Sequence, residues 1–297
     1  MLFRSESDGV TLKVADNSPK SAIDGVPKFV KDGNLTPDFF AVNTMQPPYQ
    51  PSANKPVEGG DPAMADPNQP TTLPPQTVTN IGDLMSGKGV TWAYWSGAWQ
   101  AALDGKNATP VPNFQFHHQP FNYFKNMAPG TENRQHIKDA GLGGVEFIKT
   151  IDAGKLPQVS FYKPQGNLNE HAGYADVQSG DAHLADLVAH LEKSPQWGHM
   201  LVVITYDENG GFWDHVAPPK ADRWGPGSRI PAFIISPFAK KGTVDHTEND
   251  STSPIRFITK RYDLPELDGL KARDKALADN NQPPMGDLTE ALDFSQQ

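Results

Sequence analysis

Helical and strand-like patterns of apolar residues alternate along the chain between residues 79 and 265. The strand-like stretches are VTWAYWS, LPQVSFYKP, HMLVVITY and SRIPAFIISP. Helical spacing predicts helices in TNIGDLMSGKG, GAWQAALDG, residues 134–154, SGDAHLADLVAHLEKSPQW and the closing segment STSPIRFITKRYDLP. Such alternation is typical of a mostly parallel sheet with helices on both faces. The pattern therefore predicts an α/β fold with three layers.

Two details of this pattern make sharper predictions. Residues 201–205 are apolar almost without interruption, which predicts a central strand that is covered on both faces. Ser179 precedes the apolar positions 184, 187, 188 and 191, so we expect it to cap the N-terminus of that helix.

The N-terminal quarter of the chain has a different pattern. TLKVADNSPKSAIDGVPKFVKDGN predicts a short strand and a turn. Proline and glycine recur through residues 41–78 with little apolar periodicity, which indicates a long loop lying over the surface. Because the first segment does not look like a separate domain, we interpret residues 1–297 as part of a single domain.

Composition and charge exclude several classes of protein. The net charge is −9 and basic residues form no block, which argues against a nucleic-acid-binding surface. With no cysteine, the chain has no disulfide, iron–sulfur cluster or thiolate zinc site. No apolar run approaches the roughly 18–20 residues of a transmembrane helix, and MLFRSESDGV does not resemble a signal peptide. The composition indicates no particular oligomeric state.

Two adjacent carboxylates, Asp207 and Glu208, follow the apolar strand at 201–205. Ligands of open parallel α/β sheets bind beyond the carboxyl ends of the strands. A divalent cation would stabilise two neighbouring carboxylates by taking their oxygens as ligands. The alternative is a turn, because ENGG is strong turn sequence, with Asp207 as its cap and Glu208 in solvent.

Histidines follow other strands in the same way. His117 and His118 lie among aromatic residues in FQFHHQPFNYF, and His171 lies in YKPQGNLNEHAGY. Histidine is a common acid–base group near neutral pH, and it can donate a hydrogen bond to a phosphate oxygen. The alternative is that these are ordinary loop histidines bonded to the backbone. His215 either supports a site or packs against Trp213.

The segment YDENGGFWDHVAPP, followed by GPGSRIPAFIISPFAKKGTVDHTENDSTSPIRFI, closely resembles the bacterial phosphoesterase family of acid phosphatases and phospholipases C. IGDLMSGKGVTWAYWSGAW, FHHQPFNYF and FYKPQGNLNEHAGYADVQSGD resemble further family motifs, and they occur in the family's order. The resemblance covers roughly residues 75–265. It implies the alkaline-phosphatase-like fold and, for the full-length protein, a periplasmic or secreted location.

The resemblance also implies a mechanism, in which a Ser or Thr hydroxyl activated by one divalent metal ion attacks phosphorus and forms a phosphoenzyme. By motif, Asp207 and Glu208 would bind the metal, and His118 and His171 would contact the phosphoryl group or assist the leaving oxygen. His117, Asn209 and His215 would contact the substrate or support these residues. The substrate would be a small phosphate ester or a phospholipid.

Two family motifs have no counterpart in this sequence: an upstream Glu-Asn metal motif and the turn that carries the nucleophile. Glu132-Asn133 follows the strand at 90–95, which is the wrong order, and GPGSRIP is a different feature. We therefore expect a C-terminal portion of the fold, without the nucleophile and inactive by itself. The leading hypothesis is an acid-phosphatase-like hydrolase. The alternatives are a phospholipase C-type phosphodiesterase and a fragment that binds metal or phosphate without turnover.

Overall fold

The computed structural model describes residues 3–5, 12–14, 46–69, 71–105, 114–210, 212–219, 221 and 225–295. The strands in these ranges are β1 (Phe3–Ser5), β2 (Leu12–Val14), β3 (Trp92–Gly97), β4 (Ile137–Gly141), β5 (Val159–Lys163), β6 (Val202–Thr205) and β7 (Ala232–Ile235). The α-helices are α1 (Ile81–Gly87), α2 (Trp99–Leu103), α3 (Val145–Asp152), α4 (Val177–Lys193), α5 (Ser253–Arg261) and α6 (Asp268–Asp279).

A parallel sheet lies at the centre of the described structure. Its strand order is β4-β3-β5, and β3 is hydrogen-bonded to a parallel strand on each side. Ser96 of β3 lies opposite Lys163 of β5, and Tyr94 lies opposite Ile137 of β4. The predicted α/β class and parallel sheet are therefore confirmed.

Helices cover both faces of this sheet, because alternate residues of β3 point into two apolar clusters. Trp92 and Tyr94 belong to the cluster formed with α1 and α5, while Ala93 and Trp95 belong to the cluster formed with α3 and α4. Aromatic rings fill much of the first cluster, where Trp92 lies 4.7 Å from Phe121 between ring centroids. The three predicted layers are present around β3.

The strand that follows α4 does not occupy the predicted position. β6 pairs antiparallel with β7, with Val203 opposite Ile234, and the two strands form a separate two-stranded sheet. Val202, Val203 and Ile204 are half-buried rather than buried, and Thr205 is exposed. The prediction of a central strand covered on both faces is thus wrong for the described structure, because an apolar run fixes neither the number of neighbouring strands nor the cover on each face.

The prediction of one helix over residues 134–154 is also wrong. Residues 137–141 form β4, an edge strand of the parallel sheet, and only residues 145–152 form the helix α3. Gly141, Gly143 and Gly144 separate the two elements, with φ values of +77°, +66° and +74°. Glycine adopts this left-handed region readily, so the three glycines end the strand and redirect the chain into α3.

The other predicted helices are present with small differences. Asn80 caps α1 by accepting a hydrogen bond from the backbone N–H of Asp83. The cap of α4 is Asp176 rather than Ser179, since its carboxylate accepts from the backbone N–H and the hydroxyl of Ser179. The predicted closing helix is α5, and a further helix, α6, follows it.

The proline-rich loop packs onto the sheet domain in its described part. Tyr49 is buried, and its carbonyl accepts a hydrogen bond from Asn122 Nδ2 at 3.0 Å. Gln76 exchanges backbone hydrogen bonds with Tyr123 and Lys125, at 2.7 and 2.8 Å. These contacts hold the described part of the loop against the sheet domain, while residues 41–45 and 70 lie outside the described residues. The short strand predicted within residues 11–34 corresponds to β2.

Candidate functional site

The carboxyl ends of β3 and β5 lie at the same edge of the parallel sheet, and the histidine segment is anchored there. Ser96, the penultimate residue of β3, donates its hydroxyl to the carbonyl of His118 at 3.1 Å. Gln119 Nε2 donates to that same hydroxyl at 3.1 Å and to the carbonyl of Tyr94 at 3.3 Å. Because Ser96 and Gln119 are fully buried, these hydrogen bonds fix His118 above the strand end.

The imidazole of His118 is buried among other rings. Its centroid lies 6.5 Å from that of Phe114 and 4.8 Å from that of His117, both in edge arrangements. Burial, followed by the positive charge of Lys163, lowers the pKa of His118 to about 3. Burial and Lys163 likewise lower the pKa of His117. The described part of the chain offers no hydrogen-bond partner to Nδ1 of His118. A neutral imidazole with an unused buried nitrogen can bind a polar ligand atom.

A lysine joins the ends of β5 and β6. Lys163 is the last residue of β5, and its Nζ lies 2.9 Å from Oδ2 of Asp207, which follows β6. Burial would raise the pKa of Asp207, but the charge of Lys163 and the hydrogen bond from its ammonium outweigh burial and lower it. Asp207 is therefore held ionised at the site by an ammonium group.

The remaining residues of the YDENGG segment form a turn. Glu208 Oε2 accepts a hydrogen bond from the backbone N–H of Gly210 at 2.6 Å. Asn209 Nδ2 donates to the carbonyl of Phe212 at 3.1 Å. The turn interpretation therefore describes Glu208 and Asn209 in this structure, whereas Asp207 pairs with Lys163 instead of capping the turn.

The described residues do not by themselves form a complete metal site. Among them, no group of three or more histidine, aspartate and glutamate side chains is close enough together to hold an ion. Oδ2 of Asp207 is also paired with the ammonium group of Lys163. This ammonium group provides the positive charge that a metal ion would otherwise provide. The two carboxylates have suitable ligand chemistry for a divalent ion, but their present arrangement does not fit one.

His171 lies on the segment between β5 and α4. Its Nδ1 donates to the carbonyl of Ala172 at 2.7 Å, and its ring stacks on Tyr174 with a centroid distance of 4.6 Å. The preceding residue, Glu170, accepts a hydrogen bond from the hydroxyl of Tyr206, which precedes Asp207. The ring of His171 is accessible to solvent, and its position is fixed by its immediate neighbours.

His215 is placed differently from the other predicted residues. Its side chain is 74% exposed, its Nδ1 lies 3.7 Å from a carboxylate oxygen of Asp214, and its ring lies 6.4 Å from that of Trp213. An open cleft of about 390 Å³ lies beside it, lined by Asn209, Phe212, Trp213, Asp214 and residues 228–231. The structure thus places His215 with Asp214 and Trp213.

Electrostatic interactions connect the residues that the structure brings together. The charges of Lys163, Asp207 and His171 all act on the pKa of His118. Of these residues, Lys163 was not among the predicted site residues. Its signal in the sequence is a lysine at the last position of a predicted strand, where a sheet presents side chains to its ligands.

The sequence profile of the phosphoesterase family matches residues 18–265. The chain belongs to this family. The resemblance drawn from the motifs is therefore confirmed at the level of the family.

Its relatives in the phosphoesterase family include phospholipases C from bacteria and plants. Non-hemolytic phospholipase C of Burkholderia pseudomallei is 28% identical over 208 residues, which are 59% of this chain and 29% of the relative. Phospholipase C B of Mycobacterium tuberculosis is 26% identical over 262 residues, which are 80% of this chain and 47% of the relative. Non-specific phospholipase C6 of Arabidopsis thaliana is 34% identical over 152 residues, which are 40% of this chain and 29% of the relative.

This family member thus spans less than half the length of each of these relatives. Its described helices include none that is both long and apolar enough to cross a membrane.

Proposed function

We propose that this chain takes part in the hydrolysis of phosphoric esters and that its substrate is a phospholipid or a small phosphate ester. The relatives' names favour the phospholipid, which corresponds to the phospholipase C alternative of the sequence analysis. From the family resemblance we further propose that the protein acts in the periplasm or outside the cell.

One observation carries the proposal: His118, Lys163 and Asp207, which follow or end three different strands, share one electrostatic site. Residues far apart in sequence meet there because β3 and β5 are parallel and β6 ends beside them. The carboxyl end of a parallel sheet is also where α/β proteins place their ligands.

The side chains have properties that suit a phosphoryl group. Lys163 supplies a positive charge for the phosphoryl oxygens, and His118 offers a buried neutral imidazole that can donate to one of them. His171 is exposed at the rim of the site, where it could protonate a leaving oxygen. The ring of His117 lies beside the ring of His118, so the two histidines line the same side of the site.

Dependence on one divalent metal ion also belongs to this proposal, with Asp207 and Glu208 as carboxylate ligands. The support comes from the chemistry of adjacent carboxylates and from the family resemblance, and we derive no reaction step through the ion. Asn209 would support these ligands through the turn that it forms. The covalent step through a Ser or Thr nucleophile rests on the resemblance alone, and we assign that role to no residue of this chain.

The test combines ligand binding with turnover. Calorimetric titration with inorganic phosphate and with Mn²⁺ would be run on the chain and on His118→Asn, with the exposed His199→Asn as the matched control. We expect His118→Asn to weaken phosphate binding about ten-fold, because a buried hydrogen bond to a charged ligand is lost. The control should bind phosphate as the parent chain does.

Turnover would be measured with phosphatidylcholine vesicles and with p-nitrophenyl phosphate, each with and without Mn²⁺. We expect little or no hydrolysis by this chain alone. Strong hydrolysis would place the nucleophile within these residues, and preference for either substrate would identify the ester class. Failure to bind phosphate and Mn²⁺, together with no hydrolysis, would overturn the proposed function.

A further inference from the structure

The end of β6 is not attached to the parallel sheet by backbone pairing in the described structure. There β5 pairs with β3, and β6 pairs with β7, so the two strands belong to different sheets. Asp207 follows β6, whereas Lys163 and His171 belong to β5 and its following segment. Their relative position must therefore be set by side chains.

Two polar contacts join these elements at successive residues. Tyr206 donates its hydroxyl to Oε2 of Glu170, and Asp207 accepts from Nζ of Lys163 at 2.9 Å. We call this set of four residues the polar clamp. Each contact runs from the segment of residues 163–170 to the dipeptide that directly follows β6, so the clamp holds that dipeptide at two adjacent points.

The segment that carries Lys163 and Glu170 packs closely against the end of β3 and against α4. A Cβ atom at Gly97 would lie 2.3 Å from the backbone nitrogen of Gln165, so the chain passes directly against the end of β3. A Cβ atom at Gly180 would lie 2.2 Å from Cγ of Glu170, so the Glu170 side chain packs directly on α4. These two glycines allow approaches that any other residue would block.

Glu170 also adopts a backbone conformation that a glutamate rarely takes, with φ of +62°. This conformation costs free energy, and it persists where the surrounding contacts over-determine it. The hydroxyl of Tyr206 and the surface at Gly180 are such contacts. The clamp therefore rests on a rigid platform built from β3 and α4.

We propose that Glu170 and Tyr206 are positioning residues, which together with the ion pair between Lys163 and Asp207 set the location of Asp207 relative to His118 and His171. Glu170 is adjacent to His171, and Tyr206 is adjacent to Asp207, so each clamp contact acts directly beside a residue of the site. That this positioning serves phosphoester hydrolysis rests on the proposed function. That the clamp joins β6 to the platform does not depend on it.

Hydrogen exchange of backbone amides tests whether the clamp joins the two elements. Tyr206→Phe removes one hydroxyl without changing the ring, and Lys163→Met removes the ion pair. We expect amide exchange in residues 203–210 to become about five- to ten-fold faster in each variant, because local opening there loses one restraining contact. Exchange in β3 should stay as in the parent chain.

Matched controls remove the same groups elsewhere. Tyr262→Phe removes a hydroxyl that donates to the carbonyl of Gln158, and Lys149→Met removes the exposed ion pair with Glu146. Neither control should change exchange in residues 203–210. Lys163→Arg, which can restore the ion pair with Asp207, should return exchange towards the parent rate.

Two further readouts separate positioning from a general loss of stability. In Tyr206→Phe, the NMR signals of the His171 ring should shift although Tyr206 bonds to Glu170 rather than to that ring. Calorimetry with inorganic phosphate should show binding weakened about five-fold in the same variant, as expected for a displaced polar site.

The outcomes distinguish the inference from the proposed function. Parent-like exchange in both clamp variants, or faster exchange spread evenly over β3 and β6, would overturn the clamp. Faster exchange with unchanged phosphate binding would overturn its positioning role and leave the proposed function standing. Faster exchange and a shifted His171 signal in a chain that binds neither phosphate nor Mn²⁺ and shows no hydrolysis would support the clamp and reject the proposed function.

Discussion

The parallel sheet with its helices and the two-stranded β6–β7 sheet are built from similar residues but are buried to different degrees. Ile151 of α3 is fully buried beside the parallel sheet, and Trp92 of β3 is 3% exposed. Near β6 and β7, Phe233 is 64% exposed and Trp213 is 85% exposed. Ile234 of β7 is only half-buried.

This difference shows that apolar content and burial are separate properties of a strand. LVVIT and AFII are as apolar as WAYWSG, yet the described residues cover both faces around β3 and not around β6. Free energy from apolar burial follows the area removed from water rather than the composition. We therefore expect the stability of the described structure to reside mainly in the parallel sheet region.

Matched isoleucine truncations should separate the two regions most strongly. Ile151→Ala removes a fully buried side chain and leaves a cavity, so we expect it to lower the free energy of unfolding by about 3 to 4 kcal/mol. Ile234→Ala removes the same atoms from a half-buried site and should cost about 1 kcal/mol. Urea denaturation followed by circular dichroism would measure both. Equal losses would show that β6 and β7 contribute as much core as α3.

The same comparison explains which elements the sequence could predict. The strands at Trp92–Gly97 and Val159–Lys163 are long enough and apolar enough to be recognised, and α4 has clear helical spacing. β4 could not be recognised because its sequence, IKDAG, has a polar centre and runs directly into a glycine-rich turn. Its strand character comes from pairing with β3, which is not visible in local sequence.

In the candidate site, too, some features could be predicted from local sequence and others could not. His118, His171 and Asp207 could be recognised because family motifs and strand ends carry a local signal. The pairing of Lys163 with Asp207 could not, because it joins residues 44 positions apart that belong to different sheets. Such pairs depend on tertiary geometry, which residue type and spacing alone do not determine.

A second comparison concerns the dependence of folding stability on pH, to which His118 contributes. The pKa of His118 is about 3 in the folded chain, below its ordinary value of 6.5, because burial and Lys163 disfavour the imidazolium form. Between these values the unfolded chain binds a proton that the folded chain does not, so stability falls as pH falls from about 6.5 towards 3. At pH 4, the low pKa of His118 therefore reduces the free energy of unfolding by about 3 kcal/mol.

His118→Gln should remove this part of the acid sensitivity. Unfolding midpoints in urea at several pH values between 4 and 7 would give the slope for the variant and for the parent chain. The difference in slope is the informative quantity, since the carboxylates contribute equally to both proteins. Identical slopes for His118→Gln and the parent would mean that His118 is accessible to protons in the folded chain.

The smallest difference is expected for two arginine–aspartate pairs with nearly the same geometry. Arg256 of α5 donates two hydrogen bonds of 2.8 Å to Asp274 of α6, and Arg229 donates two of 2.9 Å to Asp214. The Arg256 side chain is 9% exposed, whereas that of Arg229 is 61% exposed.

Exposure to solvent should determine how much each ion pair contributes to the free energy of unfolding. Arg256→Met leaves Asp274 without its guanidinium partner at a buried helix contact, so we expect a loss of about 2 kcal/mol. In Arg229→Met, Asp214 still accepts from the backbone N–H groups of Val216 and residue 229, and solvent replaces the guanidinium. Its urea midpoint should therefore match that of the parent chain. A clear loss in Arg229→Met would show that the loop beside β6 is more firmly packed than its exposure indicates, because only a desolvated pair stabilises a fold to that extent.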